Sequence, residues 1–225
     1  KNLFSQTYKK WNHIDLLSNE LEVIGFYFTD HPLNYYPKLF FDSLKIDLFK
    51  NITFQKDISS AKVCGAILDI KERSNKDGKK YAFITVSEKE FQFELSIFSE
   101  NLYKYRPILK EGNLLIFDID IIKRNSDTRF IIKKISLLDK VFNNYKINFS
   151  IYSSVDNIIK TKNNIFQDNP SKNGNLDLFI NLDNKLINFN FNKYSIKSYK
   201  ALDDLKKSKI LDYSLEISWI NNFNQ

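Results

Sequence analysis

Between Lys62 and Phe98 the chain carries three successive runs of extended-type residues, a pattern that commits it to pairing strands. In the first run Val63, Gly65, Ile67 and Asp69 lie on one side and Cys64, Ala66, Leu68 and Ile70 on the other. Both faces are largely apolar, which suits a strand buried on two sides or one that closes a barrel. The run leads into Lys71-Glu72-Arg73-Ser74-Asn75-Lys76-Asp77-Gly78-Lys79-Lys80, where Asp-Gly is a hairpin signal and five of ten residues are basic. A long charged arm is therefore expected between the first two strands. Tyr81 to Val86 reads as the second strand, and Phe91 to Phe98 as the third. In the third, Phe91, Phe93, Leu95 and Ile97 alternate with Gln92, Glu94 and Ser96, the mark of a sheet with one wet face.

A short helix is expected over Glu100 to Leu109, stopped by Glu111-Gly112-Asn113. Two further strands follow, Leu114 to Lys123 and Thr128 to Leu138, joined by the polar turn Arg124 to Asp127. Three strands, a helix and two strands is the order of the five-stranded OB-fold barrel, whose second and third strands bind oligonucleotides or oligosaccharides. Residues 62–140 are read as this barrel.

Upstream, Leu16, Leu17, Leu21 and Ile24 recur at helical steps from Trp11, and the helix must end before His31-Pro32. A shorter helix is expected over Tyr36 to Leu44, and Lys50 to Ser60 reads as a linker. Residues 1–61 thus form a helical lead-in. Residues 141–225 read as a small α+β module: a strand at Ile147 to Tyr152, a helix at Val155 to Phe166 and a hairpin over Leu176 to Ile180 and Lys185 to Phe191. A helix from Tyr194 to Lys209 and a strand from Ile210 to Trp219 complete it. The fold class is mainly β with α+β.

The formal charge of +7 rests on 30 Lys and 4 Arg amid 26 Asn, 28 Ile and only 4 Ala, a bias that A+T-rich coding would produce. Placement is therefore more informative than the total. Residues 1–61 balance to zero, 62–140 carry +4 and 141–225 carry +3, so the excess begins with the barrel. Lys71, Arg73, Lys76, Lys79 and Lys80 of the arm, with Lys123, Arg124 and Arg129 near the last hairpin, are the candidate phosphate contacts. Tyr81 and Phe83 are candidates for base stacking, with a core position open as the alternative for Phe83.

No catalytic constellation is visible. Polymerase and exonuclease chemistry needs clustered carboxylates holding divalent metals, whereas the acidic residues here are scattered among lysines. Asp203-Asp204 reads as a solvated helix face, and neither His13 nor His31 has a second ligand at metal-binding spacing. His31, before Pro32, reads as a helix-terminus or packing residue. The single cysteine, Cys64, reads as a small buried apolar group, which fits a reducing cytoplasm. No run approaches the length of a membrane span, no signal peptide is seen, and a chain starting at Lys1 without any Met is expected to be a piece of a longer protein.

The stretch Glu20-Leu21-Glu22-Val23-Ile24-Gly25-Phe26-Tyr27-Phe28-Thr29-Asp30-His31-Pro32-Leu33 resembles a motif in the C-terminal region of the bacterial DNA polymerase III alpha subunit. Lys79-Lys80-Tyr81-Ala82-Phe83-Ile84-Thr85-Val86 and the later Phe98 are similar to that family's barrel motifs. The resemblance implies a non-catalytic piece of a replicative polymerase that handles single-stranded template, with the active site and its Mg2+ elsewhere in the parent and no cofactor here. Lys1-Asn2-Leu3-Phe4 looks like the end of a sliding-clamp-binding peptide, which would make Leu3 and Phe4 clamp contacts. The last eighty or so residues are implied to dock the clamp loader's tau subunit, with Leu215, Ile217 and Trp219 as candidate contacts on an apolar strand. The rival readings are an anticodon-type OB module of a tRNA synthetase, a free single-strand-binding protein, and an adaptor whose barrel binds only protein.

Overall fold

The computed structural model describes residues 13–54, 57–124, 127–168, 174–182, 185–191 and 193–220. The lead-in opens with α1 (His13–Ile24). It stops there because Gly25 takes φ +83° and returns its N–H to the Leu21 carbonyl at 2.9 Å, a left-handed helix end that glycine adopts without a Cβ clash. A single 3-10 turn spans Pro32–Tyr35. α2 (Lys38–Ser43) begins two residues later than the apolar spacing suggests, because Pro37 holds Tyr36 extended. The expected linker from Lys50 begins instead inside α3 (Phe49–Phe54), whose Phe49 and Ile52 are buried in the barrel core.

The barrel comprises β1 (Ser60–Ser74), β2 (Lys80–Glu88), β3 (Phe91–Phe98), α4 (Ser99–Tyr105), β4 (Leu114–Arg124) and β5 (Asp127–Leu137). The strands close in the order β1-β2-β3-β5-β4. Closure is possible because β1 serves two neighbours: Ser60–Ala66 pairs with β4, Ala66–Ser74 with β2, and a bulge between Ile67 and Asp69 turns the strand from one to the other. Gly65 sits at this crossing. A Cβ there would lie 2.3 Å from Val86 Cγ1 and 2.6 Å from the Ser87 carbonyl oxygen. The barrel closes where β3 and β5 run parallel at Ser96 and Ile131. Five strands closed in this order, with a helix between the third and fourth, make an OB-fold. Its core holds Val63, Ile67, Ala82, Ile84, Leu95, Ile97, Leu115, Phe117 and Ile119. Each large apolar side chain buried there contributes about 1.5–3 kcal/mol. Cys64 is also buried, but in a different cluster on the barrel's outer side.

Next come α5 (Leu138–Phe142), β6 (Tyr145–Ser153), α6 (Val155–Ile165), β7 (Phe166–Gln167), β8 (Leu176–Leu182), β9 (Lys185–Asn190), β10 (Ser195–Ile196), α7 (Tyr199–Lys207) and β11 (Leu211–Trp219). The boundary expected at residue 140 falls within α5. The four main strands form a sheet in the order β11-β6-β8-β9. β6 and β8 run parallel, so they need the crossover that α6 provides. α7 starts at Tyr199 rather than Tyr194, because Ser195–Ile196 pairs with β7 and the Ser198 hydroxyl caps the helix by accepting from Ala201 N at 3.2 Å. A second core surrounds Phe149, Ile151, Ile165, Leu178 and Leu202. A third cluster joins the three parts of the chain, with Leu33 and Phe40 of the lead-in, Cys64 and Ile116 of the barrel, and Leu138, Phe142, Tyr145 and Ile217 beyond it. Among the described residues no helix is long and apolar enough to cross a membrane.

Candidate nucleic-acid interface

Side-chain parity along β2 and β3 builds the site. Ala82, Ile84 and Val86 point into the core, which turns Tyr81, Phe83 and Thr85 outward. On β3 the inward set Phe93, Leu95 and Ile97 leaves Glu94, Ser96 and Phe98 on the same outer face. Cross-strand register then places Tyr81 opposite Phe98, Phe83 opposite Ser96 and Thr85 opposite Glu94. The ring centroids of Tyr81 and Phe83 are 5.6 Å apart edge-on, and those of Tyr81 and Phe98 are 6.1 Å apart and inclined by 28°. Phe98 keeps 46% of its surface exposed. Phe83 thus points away from the buried core cluster.

This aromatic face floors a groove of about 650 Å³. One bank is the β1–β2 hairpin, with Asn75, Lys79 and Lys80; the other is the start of β5, with Asp127, Thr128 and Arg129. Lys79, Lys80, Tyr81, Phe83 and Arg129, singled out in the sequence, therefore come together. Lys71 and Arg73 lie on β1 opposite Phe83 and Tyr81, which carries them onto the same outer face. Lys76 is at the exposed hairpin tip, and Lys123 is exposed near the end of β4. The Arg124 backbone pairs with Asp127 at the β4–β5 turn.

The unpaired part of the arm is shorter than its charge run suggests. Pairing persists to Ser74 and Lys80, leaving only residues 75–79 as the turn. The Asn75 side chain organises that turn by accepting from Asp77 N at 3.0 Å and Lys79 N at 2.8 Å, and Gly78 takes φ +75°. The charged arm expected over Lys71 to Lys80 is thus largely a two-stranded ribbon, because Lys71 to Ser74 pair with Lys80 to Phe83.

Arg129 Nε pairs with Asp127 Oδ2 at 2.9 Å, and Lys71 Nζ with Asp69 Oδ2 at 3.1 Å. Exposed pairs of this kind contribute about 0–1 kcal/mol, so a phosphate can compete for either cation. Glu94, Ser96, Phe98, Thr128 and Phe130 also line the groove and were not singled out from the sequence as contacts. The first three have the wet-face parity of β3, the signal that marks them.

The remaining candidates lie elsewhere. Leu3 and Phe4 are outside the described residues. Leu215 and Ile217 are half-buried and pack against the second core from β11, an edge strand of the sheet. Trp219 pairs with Tyr145 through its backbone. Among the described residues no group of three or more His, Cys, Asp or Glu is placed to hold a metal ion.

The lead-in motif proves to be architectural. Glu20 is buried, and its Oε2 accepts from Phe28 N at 2.8 Å and Thr29 N at 3.0 Å, tying the loop after α1 back to the helix. His31 is buried against the barrel. Its Nδ1 accepts from Leu33 N at 3.1 Å, so Nε2 carries the proton and faces Ser87 Oγ of β2 at 3.2 Å. Burial, reinforced by nearby Lys89, lowers the His31 pKa from 6.5 to about 4.

No family model matches the chain. It is 31% identical over 207 residues to the DNA polymerase III subunit alpha of Buchnera aphidicola subsp. Acyrthosiphon pisum, an alignment covering 87% of this chain and 17% of that protein. With the Caulobacter vibrioides subunit it shares 28% over 123 residues, covering 54% and 11% respectively. With the Bacillus subtilis subunit it shares 29% over 127 residues, covering 56% and 11%. The chain thus spans less than a fifth of the length of these relatives. Among solved structures, it is similar to the mitochondrial single-stranded DNA binding protein Rim1 of S. cerevisiae at 17% identity and TM-score 0.31, over 37% of this chain and 97% of that one. The barrel's own strand order, rather than that likeness, defines the fold. The alignments converge on one family: the chain belongs to the bacterial DNA polymerase III alpha subunits, which it matches over part of their length.

Proposed function

We propose that this chain is a non-catalytic part of a replicative DNA polymerase and that its barrel holds single-stranded DNA in the groove over β2 and β3. The observation that carries the reading is the meeting of Lys79, Lys80 and Arg129 around Tyr81, Phe83 and Phe98. Cations along a groove follow the phosphates, while aromatic faces stack successive bases whatever their sequence. Catalysis and its Mg2+ would reside elsewhere in the parent polymerase, in the cytoplasm.

Anisotropy of a labelled thymidine oligonucleotide, titrated with the chain at two salt concentrations, tests the reading. Lys79→Glu with Lys80→Glu should weaken binding and flatten the salt dependence by up to about 0.7 slope units for each phosphate no longer neutralised. Parent-like affinity and slope in that variant would leave the hairpin a solvated ribbon and favour a protein ligand for the barrel. The same family reading assigns Leu3 and Phe4 to the sliding clamp and the C-terminal sheet to tau. Titration with each purified partner checks these assignments, and absence of binding would remove them.

A further inference from the structure

Glu94 is out of place in a groove built for polyanions. It is exposed on the groove floor, one rung from Phe83, and among the described residues it has no ion-pair or hydrogen-bond partner. Diagonal neighbours on a sheet face lie about 7–8 Å apart, so a base stacked on Phe83 brings one edge to this carboxylate. Resting on the single-strand reading above, we propose that Glu94 makes the groove select guanine at that position.

A carboxylate only accepts hydrogen bonds, and two parallel donors suit its two oxygens best. Guanine presents such a pair on its Watson–Crick edge, N1–H beside the N2 amino group. Cytosine and adenine offer one amino group next to a ring-nitrogen acceptor. Thymine offers one N–H between two carbonyl oxygens, which a carboxylate repels. Unpaired bases expose these edges, as duplex bases do not. Stacking on Tyr81, Phe83 and Phe98 then gives sequence-tolerant affinity, and Glu94 adds preference at one base.

The test uses thymidine oligonucleotides with one internal guanine, hypoxanthine, adenine or cytosine, titrated against the wild-type chain and Glu94→Gln. For the wild type, guanine should bind about fivefold to tenfold more tightly than thymine, the lower end of bidentate discrimination. Hypoxanthine, which stacks similarly but lacks the amino group, should lose most of that gain. In Glu94→Gln the guanine preference should fall below about twofold, because an amide offers one acceptor beside one donor, while thymidine binding tightens because a negative charge in the groove is gone. Equal binding of guanine and thymine by the wild type, equal gains from adenine and guanine, or a preference surviving in Glu94→Gln would each overturn the inference while leaving single-strand binding intact. Failure of both proteins to bind any oligonucleotide would overturn the single-strand reading, and this inference with it.

Discussion

His31 and Glu88 form opposed buried titrating groups at the seam between lead-in and barrel. Glu88 accepts from Phe49 N at 2.9 Å at the start of α3, and burial raises its pKa from 4.5 to about 7. The folded chain therefore keeps a proton that the unfolded chain releases, and Glu88 makes stability fall as pH rises from about 4.5 to 7. His31 acts the other way: its folded pKa of about 4 lies below 6.5, so the unfolded chain binds the proton first and stability falls as pH drops from about 6.5 to 4. Between about pH 4.5 and 6.5 the two slopes offset. Glu88→Gln keeps an acceptor for Phe49 N and removes one slope. Its unfolding free energy should rise by about 1–3 kcal/mol across that window, against a flatter wild type. Urea unfolding at a series of pH values measures this, and parallel pH profiles would contradict it.

β2 separates binding from folding by alternation. Neighbours on the strand belong to different faces, so Phe83 serves the groove and Ile84, fully buried, serves the core. Phe83→Ala should weaken oligonucleotide binding by about 1–3 kcal/mol, with the salt slope unchanged because every phosphate keeps its cation. Ile84→Ala should cost about 2–5 kcal/mol of stability. Paired titrations and denaturant melts on the two variants decide the matter; a stability loss in Phe83→Ala as large as in Ile84→Ala would return Phe83 to the core. The alternation of β3 was legible in its residues, as was the hairpin, but the facing of Phe83 was not, because β2 is apolar at nearly every position from Tyr81 to Val86. The extent of the ribbon was not, because a run such as Lys71-Glu72-Arg73 has no apolar contrast from which to infer pairing.

At the scale of the molecule the lead-in, barrel and C-terminal sheet are joined around Phe40. Its ring is fully buried and meets Phe142 at 4.9 Å and Tyr145 at 5.3 Å, both nearly edge-on. β9, at the far edge of the C-terminal sheet, is exposed along its whole length, including Leu186 (61%) and Phe189 (45%). Uncovered apolar side chains on an edge strand are a suitable place for a protein partner. If tau docks on this sheet, Leu186→Glu with Phe189→Glu should lower its affinity at least about tenfold, equivalent to 1.4 kcal/mol. Unchanged tau titrations, with circular dichroism matching the parent, would exclude β9. Leu215 and Ile217 are poorer test positions, because their side chains support the folded sheet.

By itself the sequence determined the local periodicities, the turn chemistry at Asp77-Gly78 and the order of strands and helix, from which the barrel follows. The Glu20 to Leu33 motif also carried the family resemblance, although not its physical purpose. Tertiary structure alone decided that Glu20 and His31 are anchors, that α3 enters the barrel core, and that Arg129 faces Lys79 and Lys80 across one groove. The reason is range: alternation and capping act over a few residues, whereas barrel closure brings together side chains some fifty positions apart whose separate stretches contain no sign of their meeting.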